Sequence, residues 1–88
     1  TVMQCWPLTK VAWHAGCKAG NSTSIGIEVI PKTAAGEFSE ETIKTLKELL
    51  DSLPRLPIVR HFDWTGKSCP AFYCNSVAWN ELLKKLGR

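Results

Sequence analysis

The run His61-Phe62-Asp63-Trp64-Thr65-Gly66-Lys67-Ser68-Cys69-Pro70 sets an imidazole and a thiol on either side of a glycine at which the chain can fold back. Imidazole nitrogen and thiolate sulfur are both donors that zinc, a borderline-soft ion, accepts. Lys67 stands between them, a cation that suits a thiolate neighbour and could face a developing oxyanion. A surface histidine beside an inert cysteine would give the same pattern, so this segment alone leaves both readings open. Glu28 is a second candidate, because it interrupts the apolar run Ser24-Ile25-Gly26-Ile27-Glu28-Val29-Ile30, where a carboxylate is costly without a task or a partner. The other histidine, His14, lies in the small-residue stretch Trp13-His14-Ala15-Gly16-Cys17-Lys18-Ala19-Gly20-Asn21.

These side chains need elements to hold them. Thr1 to Trp6 has extended character and reads as an edge strand stopped by Pro7. Residues 13–21 are too rich in glycine and turn formers for a helix, and they feed a strand over 24–30. Alternation in that strand puts Ile25, Ile27 and Val29 on one face and Gly26, Glu28 and Ile30 on the other, with Gly26 marking a close backbone approach. After a loop to Phe38, Ser39 is placed to cap a helix that has Glu40 and Glu41 at its positive end. Ile43, Leu46, Leu50 and Leu53 form its apolar face, and Pro54 ends it. A short strand, Ile58-Val59-Arg60, then delivers His61, and a loop runs from Phe62 to Tyr73. A last helix from Ser76 lines up Trp79, Leu82, Leu83 and Leu86. This order predicts an α/β fold, a small mixed β-sheet packed with helices, in a single domain over residues 1–88.

Composition narrows the functional classes. At 88 residues and a net charge of +3, with the basic side chains spread along the chain, there is no basic stripe of the kind that binds nucleic acid. No apolar run approaches the roughly 20 residues needed for a membrane span. Cys5, Cys17, Cys69 and Cys74 could make two disulfides, but a thiolate ligand at Cys69 favours reduced cysteines, with Cys5, Cys17 and Cys74 as small buried apolar residues.

Two separate segments together resemble the type 2 N-acetylmuramoyl-L-alanine amidases, the superfamily that includes phage endolysins and peptidoglycan-recognition proteins. Ala12-Trp13-His14-Ala15-Gly16, Asn21 and Ser24-Ile25-Gly26-Ile27-Glu28 are similar to one family signature, and His61 to Cys69 looks like the family's second and third zinc-ligand motif. The resemblance runs from Gln4 to the final helix. It implies zinc-dependent hydrolysis of the amide between N-acetylmuramic acid and L-alanine in bacterial peptidoglycan. Zn²⁺ would be the cofactor, His61 and Cys69 its ligands, Glu28 and Lys67 the catalytic pair, and Trp13, His14, Asn21 and Trp64 the groove. For Trp13 and Trp64, core packing stays open as an alternative. The resemblance leaves localisation open between cytoplasmic synthesis with action on the cell wall, as in phage-type enzymes of this kind, and secretion.

Family members carry their first zinc histidine on an additional N-terminal strand, followed by a helix, and neither has a counterpart upstream of Thr1. The resemblance therefore implies an N-terminally incomplete fold whose open sheet edge is covered by self-association or by a separate N-terminal segment, with poor turnover by these residues alone. Two other classes compete with the enzyme. One is a non-catalytic peptidoglycan-binding module. The other is a structural zinc module using His61, Cys69, Cys74 and Cys17 or His14, against which the wide ligand spacing argues.

Overall fold

The computed structural model describes residues 2–5, 7–31 and 33–88. The expected edge strand begins and ends on Thr1 and Trp6, which lie outside the described residues. Helices α1 (Lys18–Thr23), α2 (Glu40–Asp51), α3 (His61–Thr65) and α4 (Ser76–Lys85) follow in order, with a 3-10 turn at Ala71–Cys74 before α4.

The expected α/β architecture is not what forms: among the described residues there are four α-helices and no β-strand, so no mixed sheet is present. The reason lies in what a strand requires. Alternating isoleucine and valine favour an extended backbone, but a strand exists only when a neighbour takes up its N–H and C=O groups. Residues 25–30 and 54–60 do run without helical structure, yet neither finds such a neighbour. Ile25 and Ile27 are each 38% exposed and Ile30 86%, whereas Val29 packs against the core.

Helices α2 and α4 form for the reasons their sequences suggest. Ser39 accepts a hydrogen bond from the Thr42 N–H at 3.2 Å and caps α2. At α4 the cap is Asn75, whose Oδ1 accepts from Val77 and Ala78 N–H groups at 2.9 and 3.1 Å. Their apolar faces meet over a small core of Phe38, Ile43, Tyr73, Leu82 and Leu86. Tyr73 anchors it: its ring centroid is 4.6 Å from that of Phe38, and its hydroxyl oxygen accepts from the Phe38 N–H at 3.0 Å. That hydrogen bond satisfies a buried backbone donor in the segment leading into α2.

Two segments expected to be loops are helical. In α1, Cys17 caps the first turn by accepting from the Gly20 N–H through its sulfur at 3.4 Å. In α3, the Asp63 carboxylate accepts from the Arg60 N–H at 2.7 Å, while Gly66 closes the far end at a positive φ of 78°. All four cysteines are free thiols. Cys5 is exposed, contrary to its reading as a buried apolar residue, and Cys17, Cys69 and Cys74 are half-buried. No helix among the described residues is long and apolar enough to cross a membrane.

Candidate functional site

Three glycines determine how closely the two chemistry-bearing segments approach. A Cβ on Gly16 would stand 2.8 Å from His61 Nε2, and one on Gly20 would stand 2.9 Å from Trp64 Cδ2. The His-Ala-Gly stretch and α1 therefore pack directly on α3, with the imidazole and the indole laid against bare backbone. A Cβ on Gly26 would collide with His14 Cγ, so His14 packs directly on the extended segment that carries Glu28. Any larger residue at these positions would displace a ring.

The loop around His14 is held from inside. Asn21 Oδ1 accepts from both the His14 and Ala15 N–H groups at 2.8 Å. At the other segment, the Phe62 N–H donates to the Cys69 carbonyl at 2.9 Å, which closes the chain between His61 and Cys69 into a tight loop. A peptide in the cis form joins Cys69 to Pro70.

A cleft of about 670 Å³ results, and His14, Glu28, His61, Trp64, Ser68 and Cys69 all line it. Its inner end reaches the apolar side chains of α2 and α4, among them Leu46 and Leu82. Glu28 is exposed at this cleft, and His61 and Cys69 are half-buried. His14 Nε2 is buried with no hydrogen-bond partner among the described residues. The remaining expected site residues lie apart from the cleft wall. Trp13 is 94% exposed, Lys67 is exposed on the α3–Cys69 loop, and the Asn21 side-chain oxygen is already engaged by two backbone groups.

An imidazole and a thiol are the right donor types for zinc. The number is short, however: among the described residues no group of three His, Cys, Asp or Glu side chains is arranged to hold a metal ion. A catalytic zinc takes three protein ligands and a water. The described residues therefore do not by themselves fit a catalytic zinc site.

Electrostatic organisation centres on Arg60 and Asp63, which pair at 2.8 Å. Hydrogen bonding from Arg60 holds the Asp63 carboxyl below its ordinary value of 3.8, and the same bond raises the guanidinium. A carboxyl depressed in the folded state stabilises the fold above its unfolded pKa and loses that contribution as pH falls through the folded value. Stability is therefore expected to decline below about pH 4, and Asp63→Asn should flatten part of that decline. Urea midpoints of both proteins measured between about pH 2 and 6 would check this; parallel curves would exclude Asp63 as a source.

Sequence reasoning passed over Arg60. An Arg followed by Asp at the third position is not a usual cap pattern, although the Asp63 and Gly66 spacing is a detectable helix signal.

Residues 1–72 match the family model for N-acetylmuramoyl-L-alanine amidase. No curated protein and no solved structure matches the chain. The matched stretch includes both segments that meet at the cleft, from Trp13 to Glu28 and from His61 to Cys69. On this match the chain belongs to the N-acetylmuramoyl-L-alanine amidase family, which acts on peptidoglycan and is generally zinc-dependent.

Proposed function

We propose that this chain serves in zinc-dependent hydrolysis of the amide joining the lactyl group of N-acetylmuramic acid to L-alanine, a cell-wall-lysing activity of the endolysin kind. The observation that carries the reading is the shared cleft: Glu28 from one segment and His61 and Cys69 from another line one cavity, in a member of an amidase family. His61 and Cys69 are the two donors this chain offers to zinc. Among the described residues no third donor is arranged with them.

The chain's own groups divide the work. Glu28 takes the proton of the water that attacks the carbonyl carbon and returns it to the leaving amine, so one carboxylate serves as base and then as acid. Lys67 is the cation for the tetrahedral oxyanion, on a loop that must bring it inward from its exposed position. Trp64 and His14 form groove walls, Trp13 offers an exposed indole beside His14 in the chain, and Asn21 contributes by holding the His14 loop in shape.

The shortage of metal donors favours one competing reading, a module that binds peptidoglycan without cutting it. Pelleting the chain with purified cell walls, with added Zn²⁺ or with chelator, and counting new L-alanine amino termini separates the two. The expected result is cell-wall binding in both conditions and slow release that requires zinc. Binding with no release at any zinc concentration would leave the binding module, and absence of binding would refute both.

A further inference from the structure

We infer that Arg60 is a positioning residue of the cleft, its guanidinium fixing α3 so that His61 and Trp64 keep their places in the wall. The inference rests on the peptidoglycan reading of that cleft. A helix of five residues has no stability of its own and takes its orientation from tertiary ties. Beside the packing of His61 on Gly16 and of Trp64 on Gly20, Arg60 supplies several. Its Nε and Nη2 donate to the two Asp63 oxygens at 3.0 and 2.8 Å, and Nη1 donates to the Tyr73 and Cys74 carbonyls at 3.0 and 3.4 Å.

The guanidinium also lies over two aromatic rings. Its carbon lies 5.1 Å from the Phe62 ring centroid and 5.2 Å from that of Trp79, so the cation bridges α3 and α4. Only 12% of the side chain is exposed. One group thus ties the start of α3 to its own third residue, to the 3-10 turn and to α4. His61 follows it directly in the chain and lies against Gly16, and Trp64 on the same helix lies against Gly20. A tilt of α3 would therefore move both rings at once. Lysine cannot substitute, since a single ammonium has neither the fork for Asp63 nor the flat plane that lies over rings.

The test compares the wild-type chain with Arg60→Lys, using N-acetylmuramoyl-L-alanyl-D-isoglutamine as the probe and calorimetry to measure its binding. The Gly16 resonances in a proton–nitrogen spectrum report the position of the adjacent His61 ring. Arg60→Lys is expected to weaken probe binding about tenfold or more and to shift Gly16, because a site holds its ligand only while its walls stay within about 0.5 Å of their places. Ile43→Val, a core change on α2 away from the cleft, should leave both unchanged and so controls for lost stability. Should Arg60→Lys not fold, Asp63→Asn takes its place, because it weakens the fork while keeping the carbonyl and ring contacts. Unchanged affinity, or lost affinity with an unmoved Gly16, would overturn the role of Arg60. Failure of the wild-type chain to bind the probe would instead refute the peptidoglycan reading.

Discussion

Truncating Leu86 to alanine is expected to lower the unfolding free energy by about 2–5 kcal/mol, the range for deleting a buried leucine side chain. Leu86 is 1% exposed and belongs to a core of five buried residues, so few neighbours can relax into the space it leaves. A chain of 88 residues has a total stability of only about 4–13 kcal/mol at roughly 0.05–0.15 kcal/mol per residue. The substitution thus removes a large fraction of the whole. Val77→Ala is the comparison, since Val77 in α4, the helix that Leu86 caps, is 67% exposed and should change stability by less than about 0.5 kcal/mol. Urea unfolding followed by tryptophan fluorescence would measure both, and a midpoint for Leu86→Ala matching that of Val77→Ala would refute this account of the core. The consequence reaches the site, because Leu82 and Leu86 also form the inner wall of the cleft.

What was legible in the sequence divides by how local the determining interactions are. The two long helices were readable because their signals lie within one or two turns: Ser39 before Glu40, leucines at helical spacing, and a proline after the last turn. The sheet was misread because β-propensity describes one segment while a strand is a relation between two. Ile25, Ile27 and Val29 have the composition of a strand, and nothing in their own sequence reveals whether a partner lies alongside.

The short helices failed for a related reason. α1 contains Gly20 and Asn21, poor formers in isolation, but Gly20 lets Trp64 approach and Asn21 ties the preceding loop back to the helix. Tertiary contacts override propensity there. Residue type and the likeness of two segments to one family single out His61, Cys69, Glu28, His14 and Trp64, and the fold brings these five onto one cleft, with Gly26 closely approached by His14. The links that hold these residues were not readable, since Arg60 reaches Tyr73 and Cys74 through their carbonyls, which leave no trace in residue type.

Glu28→Gln is expected to reduce whatever zinc-dependent release of stem peptides the chain sustains by about 10²–10⁴-fold, the usual worth of a positioned acid–base group. That corresponds to about 2.7–5.4 kcal/mol of transition-state stabilisation. Glutamine keeps the length and planarity of the side chain but cannot take a proton from water, so the loss should fall on turnover while cell-wall binding persists. Zinc content should also persist, because the donors proposed for the metal are His61 and Cys69 and not Glu28. Stability should change little, since Glu28 is exposed and is not part of the buried core. Glu37→Gln provides the matched control: this carboxylate is also exposed, but it lines a separate pocket beside α4 and should leave release unaltered. Turnover that survives Glu28→Gln would remove Glu28 from the mechanism and, with no other carboxylate lining the cleft among the described residues, would argue for a proton acceptor outside them.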